Sequence, residues 1–139
     1  MYCRLMVIFR YGFAAALMLV SGNAAAHELT PTYPEIRPSY INGVSVTTMK
    51  MWNRRSDAEY YEITVFDEDW NAVGFATSNR IIKLEYLEHK SFEIYFRDED
   101  KDKVSYICTT SKQLKDDVLS TGVKSRICSR IKWDELWDF

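Results

Sequence analysis

The chain has 139 residues, of which 18 are basic and 20 acidic, for a net charge of −2. Nucleic-acid binding rests on a basic surplus, so this weakly acidic balance excludes nucleic acid as the expected partner class. Beyond residue 26 there are 113 residues, enough for one small domain and no second.

Residues 1–26 read as a secretory signal peptide: Arg4 and Arg10 form a positive start, residues 13–20 an apolar middle, and Ala24, Ala25 and Ala26 a small-residue cleavage site. The apolar run is far shorter than the roughly 20 residues that cross a bilayer, so no membrane span is expected after cleavage. Cleavage after Ala26 takes the balance to −4 and removes Cys3. Cys108 and Cys128 remain, in a periplasmic or extracellular space where disulfides persist, and a bridge between them is expected.

Residues 27–39 hold Pro31, Pro34 and Pro38, which forbid a helix and limit any strand to an edge or to short pieces. Residues 44–53 predict a strand in which Val44 and Val46 alternate with Ser45 and Thr47. The apolar phase slips at Thr48, which predicts a bulge or burial of both faces. Residues 59–66 form a strong strand pattern with Tyr61, Ile63 and Val65 on one face, and residues 70–77 are less regular. Two more strands are expected at 80–87 and 91–97, around a turn that contains His89. The last two, 104–112 and 125–132, each carry one cysteine near the middle, with the segment 113–124 between them. About seven short strands with frequent turn signals and no long helical period describe an all-β immunoglobulin-like antiparallel β-sandwich. It would occupy residues 27–132, with the disulfide joining its last two strands and an acidic, aromatic tail at 133–139.

This order resembles the N-terminal domain of the periplasmic chaperones of pilus and fimbria assembly. The residues that carry the resemblance are the leader, the proline-bearing first strand, the strand running into Asn53, the strand from Tyr61 to Phe66, and Ile127, Cys128, Ser129, Arg130 and Ile131 in the last strand. A cysteine bridge beside a longer loop is similar to one branch of that family. The resemblance implies a protein-binding module that donates an edge strand to an incomplete sandwich, with a pilin-like subunit as partner. On that basis Val123, Ile127 and Ile131, on one face of the last strand, are the candidate partner-binding residues. Arg37 and Lys132 are the candidate anchor for a partner's terminal carboxylate. The family has a second sandwich, for which this length leaves no room. An alternative class is a structural or adhesion component of a cell surface or virus particle.

A third expectation concerns copper. Cleavage after Ala26 would make His27 the first residue, and an N-terminal amine, its own imidazole and His89 together suit a copper ion. No catalytic set is expected. The carboxylates at 67–69 and at 98–102 lie in turns without the distinct environments that acid and base chemistry needs, and residues 98–103 lack the glycine and distal glutamate of a calcium loop. Tyr60, Phe66, Trp70, Tyr95 and Tyr106 run out of phase with the core positions, which places aromatics on an outer face. Trp133, Leu136 and Trp137 would make an apolar stripe if helical.

Overall fold

The computed structural model describes residues 26–113 and 123–132. The leader through residue 25, the segment 114–122 and the tail 133–139 lie outside the described residues, as do the expectations that fall on them.

The described chain is all-β. In order it forms β1 (Glu28–Thr30), β2 (Arg37–Pro38), β3 (Val44–Trp52), β4 (Tyr60–Phe66), β5 (Ile81–Lys83), β6 (His89–Arg97), one 3₁₀ turn (Lys101–Lys103), β7 (Tyr106–Lys112) and β8 (Arg126–Arg130). They make two four-stranded antiparallel sheets. In one, β3 is central, with β6 on one side and β1 and β2 on the other; the second runs β5-β4-β7-β8. Together they form the immunoglobulin-like sandwich, and β8 closes the second sheet as an edge strand. The prolines act as expected on the first segment. It breaks into β1 and β2, which pair with opposite ends of β3 and need few of the N–H donors that proline lacks.

Period-two alternation explains the core. Met49 and Met51 from β3, Tyr61, Ile63 and Val65 from β4, Phe92, Ile94 and Phe96 from β6, and Ile107 from β7 all point between the sheets and are buried. Fully burying each such side chain is worth about 1.5–3 kcal/mol against leaving it in water.

Three local expectations are corrected. β3 has no bulge: its pairing with β6 runs unbroken from Val44↔Arg97 to Trp52↔His89. Its inward positions at the first end are polar instead, Ser45 and Thr47, both 1% exposed, and Ser45 Oγ donates to Asp98 Oδ1. The expected strand at 80–87 shrinks to three residues: the pairing with β4 ends at the bond from Leu84 N–H to Glu59 O, and beyond it the chain turns, with Leu87 at φ 65° and its N–H on Asn53 O. His89 lies in β6 opposite Trp52, not in a turn. The irregular segment 72–76 crosses between the sheets, with one bridge to Phe66 and another to Tyr95.

Cys108 and Cys128 face each other directly across β7 and β8 and form the expected disulfide, closing a separation of 20 residues. Replacing both by alanine should lower stability by about 3 kcal/mol, the loop-closure entropy of a ring of that size. Urea melts of the two proteins check this, and an unchanged midpoint would show that the bridge does not constrain the unfolded chain.

Candidate functional site

The candidate site is the free edge of β8. Ser125 O accepts from Ser111 N–H, and Ile131 N–H donates to Ser105 O, so the odd-numbered residues direct their main-chain groups at the β7 side. Alternation turns the main-chain groups of Lys124, Arg126, Cys128 and Arg130 away from β7. Among the described residues, that outer edge takes one main-chain bond, from Arg130 N–H to Thr32 O at 3.0 Å. The inner face of the strand rises out of the core toward its start. Ile131 is 4% exposed, Ile127 is half-buried and packs against the core, and Val123 is 61% exposed. The structure therefore spreads the three candidate partner-binding residues along a gradient: Ile131 belongs to this domain's own core, and Ile127 and Val123 meet the surface.

What holds the start of β8 in place is a buried polar cluster that the sequence reading missed. Asn53, at the end of β3, uses its whole amide: Nδ2 donates to Ala58 O and Leu84 O, while Oδ1 accepts from Arg55 N–H and the Tyr61 hydroxyl. Arg55, 5% exposed, lies bidentate on Asp57 and also donates to Ser111 Oγ, Ser125 Oγ and Val123 O. The hydrogen bonds to Asp57 hold the guanidinium in its charged form. Burial pushes the Tyr61 hydroxyl up to about 12, so it stays protonated and available as the donor to Asn53.

His27 completes the cluster from the N-terminal side. Its ring is 1% exposed, 4.6 Å from the Tyr61 ring. Nε2 lies 3.1 Å from Thr109 O and 2.8 Å from Thr109 Oγ1, and Nδ1 lies 3.1 Å from Ser125 Oγ. A carbonyl only accepts, which assigns the proton to Nε2, and the Ser125 hydroxyl then donates to Nδ1 while accepting from Arg55. Burial lowers the His27 pKa to about 4 against the pull of the Thr109 carbonyl, and the Arg55 charge lowers it further.

The remaining candidates are dispersed. Arg37 is exposed in β2 and lines a surface hollow of about 310 Å³ with Pro31, Tyr33 and Glu35. Lys132 Nζ sits 3.7 Å above the Tyr33 ring, which makes Tyr33 the common neighbour of the two anchor candidates. His27 and His89 are not brought together. The His27 imidazole points between the sheets, whereas His89 lies exposed against Trp52 at 5.6 Å, two strands away from β1. Among the described residues no three His, Cys, Asp or Glu side chains cluster closely enough to hold a metal.

The carboxylates of the two turns build those turns. Asp67 accepts from the N–H groups of Asp69 and Asn71, and the Asn71 N–H bond leads in holding it below the usual carboxylate range; Asp100 is held low mainly by Lys103. The expected outer-face aromatics are present. Trp70, at φ 64°, stacks on Tyr106 at 4.4 Å and meets Phe66 at 5.6 Å.

No family model, curated protein or solved structure matches this chain. Among the described residues no helix is long and apolar enough to cross a membrane.

Because the folded pKa of His27 lies below its ordinary 6.5, the unfolded chain binds more protons between pH 6.5 and 4. Its contribution to stability is complete above pH 6.5 and is lost as pH falls toward 4, by about 3 kcal/mol over the whole interval. Denaturant melts across that range should show a steeper acid loss for the native chain than for His27→Gln. Parallel pH profiles would mean that the imidazole is solvated.

Proposed function

We propose that this domain is a secreted or periplasmic protein-binding module that captures an extended partner segment along the free edge of β8, as pilus-assembly chaperones capture pilin subunits. The observation that carries the reading is the outer edge of β8, where the main-chain groups of Lys124, Arg126 and Cys128 are turned away from β7. Strand addition needs such a row of donors and acceptors, and apolar side chains at alternate positions to fill the partner's gaps. Ile127 and Val123 supply that apolar content where the strand leaves the core. The disulfide and the polar cluster hold the edge in an extended form before binding, which lowers the ordering cost of association. No residue is assigned a catalytic step. Arg37 and Lys132, on either side of Tyr33, serve in this reading as a site for a partner's carboxylate.

The competing reading, a structural or adhesion component, draws on Ile131, which packs into this domain's own core, and on the bond from Arg130 to Thr32. Under it β8 only closes the sandwich.

Coexpression and pull-down of secreted partners separates the two. Arg126→Pro removes one outward N–H without touching the ladder to β7, since proline is tolerated at an edge. Arg126→Gln removes the same charge and keeps the N–H. Strand capture predicts that Arg126→Pro loses the partner while Arg126→Gln still captures it with at most a several-fold loss, with near-native melts for both. Equal capture by folded Arg126→Pro would favour the structural component.

A further inference from the structure

The chain is weakly acidic as a whole, yet its last described strand is not. Along residues 124–132 the outward positions are Lys124, Arg126, Cys128, Arg130 and Lys132, four cations in five alternate places. The inward positions of the same stretch are serines and isoleucines. Two of the cations lie over an aromatic platform on the outer face of the sheet. The Arg126 guanidinium sits 5.5 Å above Phe66 and donates to Thr110 Oγ1; that of Arg130 sits 5.8 Å above Tyr106. The charge of Lys124, Arg126 and Arg130 is little compensated. Among the described residues Lys124 and Arg126 take no ion pair, and Arg130 reaches Glu68 at 3.4 Å, with both side chains more than half exposed. A pair of that kind contributes little.

Charge decides which strand can lie on this edge. In an antiparallel addition, side chains directly opposite have Cβ atoms about 4.5–5.5 Å apart; opposite charges there stabilise and like charges repel. A second copy of this chain, paired about Cys128, would set Arg126 against Arg130 and Lys124 against Lys132. The cations thus guard the edge against self-pairing, a common device on exposed edges. The same row favours a different occupant. We infer that the edge of β8 selects an extended segment of another protein that carries carboxylates at alternate positions, opposite Lys124 and Arg126, and an apolar residue next to the carboxylate that faces Arg126, placed opposite Ile127. This rests on the strand-capture reading. The half-buried Ile127 and the open main-chain groups between the cations favour a peptide strand over a polyanion that offers neither apolar side chains nor a matching ladder.

Capped peptides of alternating Val-Glu, Val-Gln and Val-Lys, titrated onto the whole protein by fluorescence anisotropy, test the inference. The Glu peptide should bind roughly tenfold tighter than the Gln peptide, the Lys peptide should bind weakest, and the order should reverse in the double variant Lys124→Glu, Arg126→Glu. The advantage should shrink between about 50 mM and about 500 mM salt. Equal binding of the Glu and Gln peptides, lost in Arg126→Pro, would overturn the acidic partner class and leave strand capture standing. No binding by any peptide, together with capture by Arg126→Pro, would remove both. Tighter binding of a single-stranded oligonucleotide than of the Glu peptide overturns the inference in favour of a polyanion. A dimer in sedimentation that Arg126→Pro dissociates overturns it in favour of a second copy.

Discussion

Everything about the exposed edge depends on one constraint: polar side chains enclosed between the sheets near His27 must satisfy each other without water. Asn53 makes all the bonds its amide allows, Arg55 spreads its donors over Asp57, Ser111, Ser125 and Val123, and His27 takes up what remains on Thr109 and Ser125. Leaving any of these without a partner would strand a buried donor or charge, at a cost of several kcal/mol for a charge. The cluster therefore works as a unit. It joins the approach to β1, the end of β3, β4, β7 and the approach to β8, five parts of the chain that share no local sequence.

Its consequence is an edge strand that is fixed while, among the described residues, its outer edge takes only the bond to Thr32. β8 is held at its start by the Arg55 and His27 contacts with Ser125 and Val123, at its middle by the disulfide, and at its end by Ile131 in the core. None of these uses the outward main-chain groups. A free edge is an aggregation hazard, and natural sheets blunt it with charge. In the proposed reading, Lys124 and Arg126 serve twice, as part of the charge that guards against self-pairing and as the groups that choose the partner.

The outer face shows how aromatics out of phase with the core are used. Phe66 and Tyr106 lie under Arg126 and Arg130, and Trp70 accepts a left-handed backbone that puts its ring flat on Tyr106. Two unfavourable features, partly exposed rings and weakly paired cations, offset each other through the attraction of a cation for a ring face. The aromatic half of this arrangement was legible from alternation alone. The cationic half was hidden by the overall charge, because 20 acidic residues elsewhere outweigh the basic row on one strand.

By itself the sequence determined the fold class, the broken first strand, the central strands and the cysteine pair. Each follows from a local rule: the period of two, the missing N–H of proline, or the even cysteine count. The polar cluster did not follow from any such rule. Thr109 and Ser111 sit on the inward phase with Ile107, and Ser125 on that of Ile127, which was the one available hint. Whether a polar residue on an inward phase is buried or marks a slip is decided by its partners, and His27 lies 82 positions from Thr109 and Arg55 70 from Ser125. Tertiary structure alone brings such residues within hydrogen-bond distance. It alone also decided that β8 lies at an edge of the second sheet, since edge status belongs to the strand order and not to any strand.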